Sequence, residues 1–209
     1  MAIEIEDESL DSEIPPWIDG GILPPFRDSP AKRAGTSPYL CSTESLVWRF
    51  LDEPEGTKDS KRRDLLRGFL DYRGILRTLG FSGFQCVSGS FVEQVESIRG
   101  RVPNDIDVVN YLHPPLSGGV SELTELLTWL SDRHLLGGKA KVRYGVDGHL
   151  VILDKFAPEY VVEETQYWLG LASHQRLSLK WKGITRVELS MNESEDAVAR
   201  RIVDEWRSP

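Results

Sequence analysis

The chain has 209 residues, 40% of them hydrophobic and 28% charged, with a formal net charge of −8. That length suits one domain or one domain with appendages, and the apolar content is enough to fill a core. The acidic balance, with a sequence pI of about 5.1, argues against a surface that coats nucleic acid, although a local basic groove is compatible with it. Cys41 and Cys86 are the only two cysteines. They give neither a zinc-ligand spacing nor a disulfide framework, and no secretory leader is read at the start, so a reducing cytoplasm is the expected compartment. No apolar run approaches the roughly 18 residues of a membrane span, and no membrane partner is expected.

Residues 1–13 are acidic and weakly patterned and read as a loosely held tail. Ile14 to Pro38 is rich in Pro and Gly, punctuated by Trp17, Ile22, Leu23 and Phe26. It reads as an extended arm, either packed on the surface or offered to a partner. Tail and arm together make up residues 1–42, and residues 43–209 are expected to form a single domain.

Thr43 to Leu51 has the pattern of a short helix with Leu46, Val47, Phe50 and Leu51 inward, and a charged loop follows. Ser60 to Leu79 predicts an amphipathic helix on Leu65, Leu66, Phe69, Leu70, Tyr72, Leu76 and Leu79, with Gly80 as its stop. The basic start Lys61-Arg62-Arg63 opposes the helix dipole. It reads as a solvated charge cluster or, alternatively, as a phosphate or RNA contact.

Gln85 to Ser88 predicts a strand ending in a Gly89-Ser90 turn. Glycine lets backbone N–H groups approach a ligand with no Cβ in the way, and the serine adds a hydroxyl donor, a combination suited to phosphate. Such pairs occur in many turns, so the motif alone says little. Pro103-Asn104 then starts a second strand through Asp105-Ile106-Asp107-Val108-Val109. Residues two apart on a strand share a face, which puts Asp105 and Asp107 side by side. Two neighbouring carboxylates repel and are poor strand formers, and a divalent cation is the usual remedy. The bland alternative is a pair of aspartates that opens an exposed strand.

Ser121 to Leu135 predicts a helix capped by Ser121, with Gly137-Gly138 beyond its end. His113 and His134 read as surface or packing residues. Lys141 to Asp154 is read as a strand, with Val142, Tyr144, Val146, Leu150 and Ile152 on one face and Lys141, Arg143, Asp147 and His149 on the other. That makes Asp147 the expected third carboxylate, whereas Asp154 falls on the wrong face. His149 shares the Asp147 face and is a weaker candidate. Pro158 to Leu171 predicts a helix whose Tyr167-Trp168 either joins the core or stacks on a nucleobase. The patterns LSLKW and ITRVEL within Arg176 to Ser190 predict late strands or a hairpin, with Lys180, Lys182 and Arg186 facing a triphosphate or an acidic partner. Glu193 to Trp206 closes the chain as a helix. This order of elements predicts an α/β (α+β) fold, a mixed β-sheet covered by helices.

The constellation of Gly89, Ser90, Asp105, Asp107 and Asp147 resembles the DNA-polymerase-β-like nucleotidyltransferase superfamily. Beyond it, IPPWIDGGILPPF, GSFVE, PNDIDVV, YWLG and KGITRVEL resemble a bacterial subfamily of small, minimal nucleotidyltransferase-like proteins over most of the chain. One departure is a long spacer between Ser90 and Asp105, which implies that the helix after Gly-Ser is short or broken. The resemblance implies a polymerase-β-like fold and a nucleoside triphosphate substrate. It also implies Mg²⁺ or Mn²⁺ held by Asp105, Asp107 and Asp147, with Gly89 and Ser90 on the β- and γ-phosphates. In the implied two-cation scheme an acceptor hydroxyl attacks the α-phosphate in line and pyrophosphate leaves, with no general base required. Proteins resembling this one occur in toxin–antitoxin or phage-defence loci, so the implied partner is a toxin or effector encoded nearby, or an RNA acceptor. A nucleotide-oligomer or second-messenger synthase and an inactive, antitoxin-like partner-binding module are the alternatives.

Overall fold

The structure, a computed structural model, describes residues 14–30, 35–52, 61–115, 120–190 and 194–206. The acidic tail over residues 1–13 lies outside the described residues. Helix α1 (Thr43–Val47) begins where Ser42 Oγ accepts the backbone N–H of Ser45 at 3.0 Å, and it runs into a π turn over Trp48–Asp52. Helix α2 (Lys61–Thr78) buries Leu65, Leu66, Phe69, Leu70, Tyr72 and Leu76, the stripe that the sequence spacing dictates.

Five strands form one mixed sheet in the order β1-β5-β2-β3-β4. They are β1 (Tyr39–Leu40), β2 (Ser82–Ser88), β3 (Ile106–His113), β4 (Val146–Ile152) and β5 (Thr185–Leu189). Strand β2 runs antiparallel to both of its neighbours, while β3 and β4 are parallel, as are β1 and β5. The C-terminal end of β2 therefore meets the N-terminal ends of β3, β4 and β5 along one edge of the sheet.

Alternation along β3 sends Ile106, Val108 and Leu112 into one core and Val109 and Tyr111 into another. The first core takes residues from α2, α4 (Val120–Asp132), α5 (Gly137–Tyr144) and α7 (Ser194–Glu205), among them Leu66, Leu130, Ala140 and Val203. The second is smaller and lies under α6 (Pro158–Ala172), where Val161, Trp168 and Leu169 pack on it. Helices thus cover both faces of a mixed sheet, as the sequence predicts.

A polar chain crosses the larger core. Arg73 is fully buried and donates to Asp196 at 2.9 Å and to Gln85 Oε1 at 2.5 Å. Gln85 Nε2 donates to Asn110 Oδ1 at 2.6 Å, and Asn110 Nδ2 donates to the His149 carbonyl at 2.8 Å. Arg77 also donates to Asp196. Each member finds a partner, as buried polar groups must.

The arm is packed, the first of its two readings: Leu23 and Tyr39 are buried, Trp17 donates to the Val92 carbonyl at 2.9 Å, and Tyr39–Leu40 adds the edge strand β1. Other expectations change. The basic start of α2 is not a solvated cluster. Arg62 is fully buried and donates to the carbonyls of Phe91 and Glu93 at 2.6 and 2.7 Å and to Glu96 at 2.6 Å. Those acceptors come from distant turns whose carbonyls have no strand partner, which a window of sequence cannot show. The strand expected over Lys141 to Asp154 splits: residues through Tyr144 close helix α5, and Gly145, in the left-handed conformation, ends it before β4. Gly137-Gly138 lie beyond the end of α4, as expected, and they also open α5. Of the expected late strands only ITRVEL forms one, because LSLKW is held by a lone bridge between His174 and Trp181.

Candidate functional site

The sheet edge where β2 ends and β3 and β4 begin opens into a cleft of about 620 Å³. Its floor follows from strand register. Asp107 of β3 pairs with Ser88 of β2 on one side and with Asp147 of β4 on the other. Asp105, two residues before Asp107 and just ahead of β3, is buried and lines the same cleft. The three aspartates singled out from sequence are therefore brought together, and Gly89 and Ser90 join them on the cleft wall.

Gly89 has φ +74°, and a Cβ there would collide with the Asp107 carboxylate, so the turn requires glycine. After it the chain makes a 3₁₀ turn over Gly89–Val92 and the short helix α3 (Val95–Arg99), the short and broken helix that the long spacer implies. Lys182 supports the turn from behind. Its buried ammonium donates to the Gly89 carbonyl at 2.8 Å and to Glu93 at 2.7 Å. Glu93 also accepts from Arg99 at 3.0 Å and from Gln175 at 3.3 Å. Burial pulls the Lys182 ammonium below its ordinary value, against the pull of Glu93.

Charge on the floor is unevenly balanced. Burial first, then the anions Asp105 and Asp147, hold the Asp107 carboxyl above its usual range, against weaker pulls from Lys182 and Lys141. Lys141, projecting from α5, pairs with Asp105 and also with Asp147 at 3.2 Å, and its hydrogen bond with Asp105 is the main cause of its raised value. One ammonium thus spans two of the three carboxylates. Among the described residues no set of three or more His, Cys, Asp or Glu side chains is arranged to hold a metal ion as the side chains stand. In type the three carboxylates are donors that a hard cation takes; in position, two of them are joined by the Lys141 ammonium.

His149 lies beside Asp147 with Nε2 at 3.7 Å from Oδ1 and stacks on Trp168 of α6, ring centroids 3.9 Å apart and planes 24° apart. The pair forms one wall of the cleft. Trp168 thus joins the smaller core, as the first of its two readings has it, and it also lines the cleft. Arg99, Arg101 and Arg176 add positive charge to the lining.

Other candidates fall elsewhere. Arg186 pairs with Glu188 at 2.6 Å and lies over the Phe84 ring, away from the cleft, because the strand alternation that turns Thr185 and Val187 inward turns Arg186 to another face. Lys180 does not line the cleft either. Asp154 lies past β4 and pairs with exposed His113. Sequence reading missed Lys141 as a bridge, because it was placed on a strand. It also missed Glu93, whose signal is its place in GSFVE, one short turn after the glycine.

Compared with known proteins, residues 15–188 match the model of a family described as a family of unknown function (DUF6932). No curated protein and no solved structure matches the chain.

Proposed function

The chain belongs to this family of unknown function, and from its own residues we propose that it is a metal-dependent nucleotidyltransferase, moving a nucleoside monophosphate from a nucleoside triphosphate to a macromolecular acceptor. The observation that carries this reading is Asp107. Its half-buried carboxylate lies between two other anions and abuts a glycine turn, an arrangement that costs the folded chain stability unless a cationic ligand is brought to it.

Asp105, Asp107 and Asp147 would hold Mg²⁺ or Mn²⁺, which when bound neutralises triphosphate charge and lowers the pKa of the acceptor hydroxyl. Gly89 and Ser90 present backbone and hydroxyl donors to the β- and γ-phosphates. Lys182 and Glu93 fix the turn that presents them. The His149–Trp168 stack offers a face for a nucleobase. The acceptor oxygen bonds to the α-phosphorus, the bond from that phosphorus to the β-phosphate oxygen breaks, and pyrophosphate leaves. The acceptor proton passes to solvent. Arg99, Arg101 and Arg176 suit an anionic substrate.

A second reading, a partner-binding module without turnover, is favoured by Lys141, which already compensates Asp105 and Asp147. Incubation with each labelled nucleoside triphosphate and Mg²⁺ or Mn²⁺, alone and with the products of neighbouring genes, separates the two. Label on a protein or RNA supports transfer, and a soluble labelled oligomer points to a nucleotide-oligomer synthase. No turnover beside a tight complex supports the binding module. With Asp105→Ala plus Asp107→Ala, transfer should fall at least about 10³-fold while circular dichroism stays unchanged. Labelling that persists in this double variant removes the cleft as the site.

A further inference from the structure

We propose that Lys141 is a tethered counter-ion that occupies the cation position of the cleft and must leave before a divalent cation can bind. This inference rests on reading Asp105, Asp107 and Asp147 as cation ligands.

The geometry is specific. Lys141 comes from α5, not from the segments leading into and along β3 and β4 that carry the aspartates, and its one ammonium meets Asp105 and, at 3.2 Å, Asp147. Its side chain is 44% exposed, whereas those of Asp105 and Asp147 are 11% and 26% exposed. The lysine therefore reaches the carboxylates from the solvent side and covers them. Asp107, the middle of the three, makes no ion pair with it, and only a weaker attraction from the ammonium reaches it. An ordinary surface pair would neutralise one carboxylate. This one draws two together on the floor of a cleft and leaves the third under-compensated.

The helix behind it is firmly seated, so the side chain and not the backbone has to move. Ala140 and Tyr144 of α5 are buried, Tyr144 packs against Tyr72, and the Gly145 carbonyl accepts the Ile106 N–H at 2.8 Å. Helix α2 approaches so closely that a Cβ on Gly68 would strike the Tyr144 carbonyl. A long, flexible lysine on such a base can leave its carboxylates for solvent without disturbing the sheet.

A site that is open for only part of the time binds more weakly in proportion to that fraction. Removing the occupant should therefore tighten metal binding. The test is Mn²⁺ alone, titrated by calorimetry or by electron paramagnetic resonance of the free ion, with no nucleotide present. Lys141→Met should bind Mn²⁺ at least about tenfold more tightly than the unaltered chain, and Lys141→Arg, which keeps a cation on the same tether, should bind it as the unaltered chain does. Arg101→Met removes the same charge from the cleft without touching a carboxylate and should change the affinity much less. Lys141→Gln repeats the measurement if the methionine variant fails to fold, as checked by circular dichroism.

Equal affinity in Lys141→Met and the unaltered chain overturns the counter-ion role. So does an equal gain in Arg101→Met, which would reduce the effect to net charge. If Mn²⁺ binds the unaltered chain and is lost in Asp105→Ala plus Asp107→Ala, those results leave the cation site standing and remove only Lys141 from it. If no variant binds Mn²⁺ at millimolar concentration, both the cation site and the counter-ion fall.

Discussion

Two aspartates, one buried and one half-buried, have opposite fates in this molecule. Asp196 of α7 sits between Arg73 and Arg77, whose charges and hydrogen bonds hold its carboxyl below the ordinary value although burial pushes the other way. Asp107, at the sheet edge, has burial and two further aspartates against it, and its carboxyl is raised. One cluster satisfies its charges internally; the other leaves a debt of negative charge facing a cleft. A carboxylate that lowers the energy of the fold is complete without a ligand; one that raises it is where, on the reading proposed above, a cation would bind. Sites poised in this way are commonly held at some cost to stability.

The largest effect should come from the satisfied cluster. Arg73→Met leaves Asp196 and Gln85 without their shared donor in the core, and a loss of about 3–5 kcal/mol is expected in urea unfolding. A loss below about 1 kcal/mol would mean that the cluster is wet and would break the contrast. Gly89→Ala comes next, because the new Cβ meets both a left-handed backbone and the Asp107 carboxylate. It should cost about 2 kcal/mol and abolish nucleotide binding in a filter or fluorescence assay.

Asp107→Asn sharpens the contrast with the smallest change. Its melting temperature near neutral pH should equal or exceed that of the unaltered chain. The sign follows from linkage. A carboxyl raised above 3.8 on folding carries a penalty while ionised, and that penalty fades as pH falls through the folded value. Asp196, depressed below 3.8, contributes stability that is present above that value and is lost as pH falls through its own folded value. The asparagine variant should therefore lose its advantage on acidification before the Asp196 cluster begins to fail. A variant less stable than the parent at neutral pH would show that Asp107 serves the fold.

Much of this contrast was legible from the residues. The alternation Asp105-Ile106-Asp107-Val108 gave the strand and the shared face, and the polar-face position of Asp147 gave the third acid, because period-two patterning is local. Helix α2 was equally readable from its leucines. The ionic detail was not. Arg62 and Arg73 are charged residues on a helix that looks solvated, and only the folded chain shows the carbonyls of Phe91 and Glu93, or Asp196 more than a hundred residues on, arriving at their tips. Lys141 was misread for a related reason. Lys-Val-Arg-Tyr alternates like a strand, and it is helical because Ala140 and Tyr144 pack together on α2 and Gly145 supplies the stop.

The polar chain from Asp196 through Arg73, Gln85 and Asn110 to the His149 carbonyl also bears on biosynthesis. Asp196 follows Arg73 by 123 residues. Until the ribosome has released the segment around Asp196, Arg73 and Arg77 have no carboxylate to meet, and the larger core can close over them only at a penalty. This part of the core must therefore wait for a segment made more than a hundred residues later. A chain halted before Ser194 would expose an unfinished core to proteases and chaperones.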